Sequence, residues 1–204
     1  MKFNPEIHHR RSIRLRGYDY SRNGAYFVTI CSWNRECLFG SITGVKSGKP
    51  EMVLNEYGEI VRDEWSRTAL IRKEIDIDEF IVMPNHFHGI VFIRGRGDRP
   101  VAQMATITNE MRGDRPVAPT EDRPGPRPQS IGSFLAGFKS IATKRINEIR
   151  QTPSAPVWQR NYYERIVRDE IEFDRIREYI IDNPANWKDD ENNPANIGSS
   201  SNVF

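Results

Sequence analysis

The run Ile75–Ile93, IDIDEFIVMPNHFHGIVFI, decides how the fold is read. Apolar residues alternate from Ile75 to Met83. This alternation predicts Ile75, Ile77, Ile81 and Met83 on one face of a strand and Phe80 and Val82 on the other. Pro84-Asn85 turns the chain, and His86–Ile93 is again rich in β-branched and aromatic residues. Two such strands with so short a connection make an antiparallel hairpin.

Working outward, Ala25–Ser32 (AYFVTICS) follows Asn23-Gly24 and reads as another strand. Asn55–Leu70 places Tyr57, Ile60, Val61, Trp65 and Ala69 at a helical period behind an Asn55 cap. Ser130–Arg150 has the same period through Ile131, Phe134, Leu135, Phe138, Ile141 and Ile146. Tyr162–Arg168 reads as a strand. Asp169 then caps a helix running to about Asp182, which Asn183-Pro184 is expected to stop. The order β-α-β-β-α-β-α predicts an α+β chain. Its first six elements match the ferredoxin-like, or RRM-like, antiparallel sheet (βαββαβ) with two helices on one face. The added C-terminal helix is left to find a place, and the open sheet face is one.

The chain has 204 residues and a mass of 23.7 kDa, enough for one domain with appendages. Only 37% of residues are hydrophobic and 28% are charged, so part of the chain is expected to lie outside a core. No run approaches eighteen apolar residues, which argues against a spanning helix. The first residues carry no apolar signal core, and the expectation is a cytoplasmic, nucleoid-associated protein. Cys31 and Cys37 cannot by themselves build a disulfide framework.

The net charge of +2 is a cancellation. Basic groups gather in residues 1–22 and 139–168, and acidic ones follow Asp169, a pattern that permits a nucleic-acid surface. Ordinary solvated faces would give the same pattern. Gly-Asp-Arg-Pro-Val-Ala occurs at 97–102 and again at 113–118. The organisation expected is therefore a basic arm at 1–24, a domain at 25–187 interrupted by a disordered insertion at 95–129, and a loose tail at 188–204.

Four histidines are present, and His86 and His88 matter most. Two positions apart on a strand, their imidazoles project from one sheet face and could share a metal ion. They could equally flank a turn as satisfied polar residues. Tyr179 and Asn183 lie one helical turn apart, where a hydroxyl could stand beside a metal-coordinating amide. Alternatively, Tyr179 borders the apolar stripe Phe173, Ile176, Ile180, and Asn183 only ends the helix. Gly44–Pro50 (GVKSGKP) is one residue short of a phosphate-binding loop and has Pro50 where Ser or Thr is required.

His86-Phe87-His88, then Trp158-Gln159-Arg160-Asn161-Tyr162-Tyr163-Glu164, then Tyr179-Ile180-x-x-Asn183-Pro184 resemble the single-tyrosine HUH transposases. The REP-associated tyrosine transposase branch is the nearest match, with Arg10–Tyr20 (RRSIRLRGYDY) and Tyr26–Cys31 (YFVTIC) also similar. The likeness covers about residues 8–94 and 130–187. It implies that His86, His88 and Asn183 bind a divalent metal, Mg2+ or Mn2+. It also implies that Tyr179 attacks a phosphodiester of single-stranded hairpin DNA, leaving a 5′-phosphotyrosine. Arg10, Arg11, Arg14 and Arg16 are the candidates for gripping phosphate, with Lys139, Lys144 and Arg145 behind them. Tyr162 and Tyr163 compete as nucleophiles but lack an amide one turn away. Monomer and homodimer both remain open.

Two other functions are expected to compete. One is a non-catalytic hairpin-binding protein on the same fold. The other is a small metallohydrolase using the histidine pair, against which the lack of a nearby Asp/Glu ligand motif counts.

Overall fold

The computed structural model describes residues 23–44, 48–94 and 128–196. The arm through residue 22, the repeat-bearing stretch 95–127 and the last eight residues lie outside the described residues, and so do Arg10, Arg11, Arg14 and Arg16.

The strands are β1 (Gly24–Cys31), β2 (Gly40–Gly44), β3 (Pro50–Leu54), β4 (Ile75–Val82), β5 (His86–Ile93) and β6 (Tyr163–Val167). The helices are α1 (Glu56–Ile71), α2 (Ile131–Ile149) and α3 (Glu170–Asn186). The main sheet runs β4-β5-β1-β6 with every neighbour antiparallel, the order of a ferredoxin-like sheet. β2 and β3 form a separate hairpin between β1 and α1, which the sequence reading did not anticipate. Neither GSITG nor PEMVL carries a run of β-branched or aromatic residues or a clean apolar/polar alternation, so nothing local marks them as strands. Gly44 and Pro50, the two ends of the near-miss phosphate loop, pair with each other as the last residue of β2 and the first of β3.

Helix starts fall where side chains can serve unpaired backbone N–H groups. The side chain of Asn55 accepts from Tyr57 and Gly58, that of Ser130 from Ser133, and that of Asp169 from Glu172. α1 and α2 cover one sheet face. There Tyr26, Val28 and Ile30 of β1 and Phe87, Val91 and Ile93 of β5 meet the helices. Trp65 is the hub, with ring centroids 4.4 Å from Phe87, 5.0 Å from Phe134 and 5.1 Å from Phe138. Its approach requires Gly89, since a Cβ there would sit 2.8 Å from Trp65 Cζ2. Ile141, expected in this core, is exposed, and Ala142 takes the inward position.

α3 packs on the opposite face, on Ala25, Ile90 and Val167 through Phe173, Ile176 and Ile180. The sheet thus lies between two helical layers. The expected alternation of β4 needs correction. Its register moves from Ile77↔Val91 to Phe80↔Gly89, three residues against two. This bulge reverses which face later residues present. Ile77 and Phe80 therefore share the α1–α2 side, while Ile81 joins the α3 cluster.

Asn183-Pro184 does not stop α3, which continues to Asn186. Proline removes one backbone donor, and in the final turn that loss interrupts nothing further along. The expected tail also differs. Residues 188–196 fold back, and Asn192 is buried. Among the described residues no helix is long and apolar enough to cross a membrane.

Candidate metal and tyrosine site

Phe87 points into the α1–α2 core, so strand alternation sends its neighbours His86 and His88 to the α3 face. Both are buried, with ring centroids 4.5 Å apart at 71°. Each is oriented from behind. His86 Nδ1 lies 2.9 Å from Asn85 Oδ1, and Asn85 Nδ2 is already committed to the carbonyls of Arg35 (2.9 Å) and Asn192 (2.7 Å). The amide oxygen can only accept, so Nδ1 carries the proton and the Nε2 lone pair is free to ligate. His88 Nδ1 lies 2.8 Å from Thr29 Oγ1, and Phe27 stacks on its ring at 5.3 Å.

α3 supplies the opposing groups. Asn183 continues the buried stripe Phe173, Ile176, Ile180, spaced by three and four residues, so its amide faces the sheet. Tyr179 borders that stripe and is 45% exposed. Its hydroxyl lies 3.3 Å from His88 Nε2. Beyond α3, the turn at Trp187–Asp189 returns the chain across the histidines. Trp187 faces His86 at 6.0 Å, and Asp190 Oδ2 stands 3.7 Å from His86 Nε2. This segment is pinned by the Asn85–Asn192 bond and by Arg35 Nη1 donating to the Glu191 carbonyl at 3.0 Å.

The donor atoms suit a divalent cation. Ligand atoms of His86, His88 and Asp190 all lie within 4.8 Å of one another. Among the described residues, four buried side-chain polar atoms lack a hydrogen-bond partner. Two are the indole nitrogens of Trp65 and Trp158. The other two, His86 Nε2 and Asn183 Oδ1, both belong to this site, where a cation would satisfy them.

Burial pushes the His86 pKa down to about 4, with Asp190 and Asn183 acting in the opposite direction. His88 is pushed well below the usual imidazole range by burial and by His86. Both imidazoles are thus neutral at pH 7, the form that can ligate a cation. The Tyr179 pKa is raised, first by burial and then by Asp190, while Asn183 acts to lower it. The phenol is therefore protonated at pH 7. With the proton on Nδ1 toward Thr29, the lone pair on His88 Nε2 can accept this hydroxyl or ligate a cation, but not both at once.

Other sequence candidates lie elsewhere. Lys139, Lys144 and Arg145 are on α2, across the sheet from Tyr179. Lys139 Nζ donates to the carbonyls of Gln159 (2.6 Å) and Arg160 (3.1 Å), and burial lowers its pKa to about 8. Arg145 pairs with buried Glu64 at 2.6 Å, and Lys144 is exposed beside Glu148. Tyr162 packs against the core, and Tyr163 is exposed on β6. Asp190 was missed because it sits in an acidic, asparagine-rich run that reads as tail. The only available signal was Asp189-Asp190-Glu191 following the tyrosine helix.

The sequence matches no protein-family model. An uncharacterized protein of Haemophilus influenzae is 40% identical over 194 residues, covering 93% of this chain and 96% of that protein. A solved REP-associated tyrosine transposase bound to a REP hairpin gives a TM-score of 0.49 at 17% identity, covering 85% of this chain and 73% of that one. A Deinococcus radiodurans protein described as a candidate transposase gives a TM-score of 0.37 at 15% identity, covering 84% of this chain and 97% of that one.

Proposed function

This chain belongs to one family with the Haemophilus influenzae protein, and we propose that it cleaves and rejoins single-stranded hairpin DNA, with Tyr179 as nucleophile and a divalent metal as cofactor. The observation that carries this reading is the convergence of a half-exposed tyrosine hydroxyl on a buried histidine pair. Tyr179 Oη lies 3.3 Å from His88 Nε2, and two unpartnered ligand atoms stand alongside. The motif resemblance supplies the substrate, a hairpin with a single-stranded flank.

His86, His88, Asn183 and Asp190 would hold the metal; the mixed imidazole and oxygen donors favour Mn2+, and Mg2+ fits where phosphate oxygens and water fill the remaining positions. When bound, such an ion polarises the scissile phosphate and stabilises the charge that develops there. Tyr179 Oη forms a bond to phosphorus as the P–O3′ bond breaks. The electron pair goes to O3′, the phenolic proton is released, and protonation of O3′ gives the free 3′-OH. A 5′-phosphotyrosine remains on the protein. The phosphodiester is conserved, so attack by a 3′-OH reverses the step without a nucleotide cofactor. Asn183 favours the phenolate, against burial and Asp190.

Incubating the protein with a labelled hairpin and Mn2+ should give a covalent species on a denaturing gel. Chelator should abolish it, and Tyr179→Phe should reduce it by at least about a thousandfold. An undiminished adduct in Tyr179→Phe would overturn the assignment. Hairpin binding unaffected by chelator, with no adduct under any metal, would favour a binding module instead.

Asp190 favours one further reading. Two histidines and a carboxylate can also serve metal-assisted hydrolysis, supplying the acidic group that the sequence seemed to lack. Chelator-sensitive strand cleavage surviving Tyr179→Phe would select it.

A further inference from the structure

α3 does not cover its sheet face evenly. Arg177 of α3 reaches Asp78 of β4 at 2.8 Å, and Phe173 meets Phe92 of β5 with ring centroids 5.7 Å apart. The helix thus leans toward β4 and β5, while β6 is the opposite edge strand. Between α3 and that edge lies a groove of about 760 Å³, with Phe27, Arg165, Arg168 and Arg175 on its walls and Tyr179 among them. Its acidic groups, Asp169 and Glu172, are turned to the protein itself. Asp169 caps α3, and Glu172 pairs with Arg165 at 2.5 Å and accepts from the Arg168 backbone N–H at 2.8 Å. The guanidinium groups of Arg168 and Arg175 have no acidic partner among the described residues.

The strand register adds an aromatic. Tyr163 pairs with Thr29, Arg165 with Phe27, and Val167 with Ala25. Ala25 and Val167 pack on α3, so alternation places Tyr163 and Arg165 on the same face. Tyr163 is 55% exposed there, beside the threonine that orients His88. Cations lining a groove next to an open aromatic are what a single nucleic-acid strand requires: charge for the backbone and a π-face for a base. A duplex, with its bases stacked internally, has no use for the aromatic.

We propose that this groove is the track for the single-stranded segment of the DNA substrate. Arg168 and Arg175, with Arg165 behind them, contact phosphates, and Tyr163 stacks on a base, leading the strand to Tyr179. The proposal rests on the DNA-cleavage reading for its choice of strand, but its binding test stands apart from catalysis. It also accounts for Tyr163, which the chemistry leaves unused.

The test uses the full chain carrying Tyr179→Phe and a fluorescent hairpin with a single-stranded extension of about ten nucleotides. Affinity is measured by anisotropy across a salt series. Arg168→Gln and Arg175→Gln should each reduce the slope of log K against log salt by about 0.7, a loss of about fourfold in affinity at 0.15 M salt. Tyr163→Ala should weaken binding by about 5- to 150-fold without changing the slope, and Tyr163→Phe should restore it. Arg67→Gln, on exposed α1 across the sheet, is the control and should change neither. Circular dichroism checks folding, and all these side chains are exposed.

Unchanged slope and affinity in the arginine and Tyr163 variants would overturn the proposal. Equal losses on a blunt hairpin lacking the extension would also overturn it, by assigning the groove to duplex. The two readings fail separately. Native protein that binds the extension through this groove yet forms no adduct removes the cleavage chemistry and keeps the track. Native protein that forms the adduct, with groove variants that bind and cut like it, removes the track and keeps the chemistry.

Discussion

The two faces of the central sheet come from the same strands but have opposite contents. Toward α1 and α2, β1 and β5 present Tyr26, Val28, Ile30, Phe87, Val91 and Ile93, closed around Trp65. Toward α3 they present Phe27, Thr29, His86 and His88, with Tyr179, Asn183 and Asp190 brought over them. Moving one residue along a strand changes a core position into a chemical one. The contrast teaches a division of labour. The apolar face holds β5 rigid, and that rigidity fixes where the histidines point.

This division predicts that the two faces can be damaged separately. Trp65→Ala should cost about 3–5 kcal/mol of folding stability, read from the denaturant midpoint, because it empties the centre of the aromatic cluster. His88→Ala should spare most stability but lower Mn2+ affinity by calorimetry, by more than the loss of an outer partner does. Comparable stability losses in both variants would break the comparison. Thr29→Val sharpens it by removing only the support behind His88, and should lower Mn2+ affinity by about 10–100-fold.

The smallest effect concerns pH. His86 has a pKa of about 4 in the folded, metal-free chain against an ordinary value of 6.5. Between these values the unfolded chain binds the proton and the folded chain does not. Stability in chelator should therefore fall as pH drops from about 6.5 to about 4, and His86 contributes nothing further below that. His88 acts in the same direction. A flat profile through this window would show that burial of these imidazoles is not what the chemical face costs the fold.

Much of this was legible beforehand because it depends on periodicity. Asn55 and Asp169 were readable as caps from their chemistry, and the main helix and strand runs followed from spacing. His86 and His88 had to share a face once β5 was a strand, just as Tyr179 and Asn183 had to share one on α3. The bulge and Asp190 were missed because both depend on contacts between distant segments. The bulge at Ile77–Phe80 has no signature in alternation, because it is set by pairing with β5. Asp190 looked like tail because nothing local marks a segment held by Asn85 and Arg35, far away in the chain.

The sequence by itself determined the order of the four main strands and three helices, the shared face of His86 and His88 on β5, and that of Tyr179 and Asn183 on α3. These follow from backbone geometry with periods of two and 3.6. Only the tertiary structure decided that α3 takes the sheet's second face, that Tyr179 arrives 3.3 Å from His88 Nε2, and that Asp190 joins the pair. Those outcomes depend on where apolar stripes find partners and where buried polar groups find hydrogen bonds, and both are properties of the packed chain.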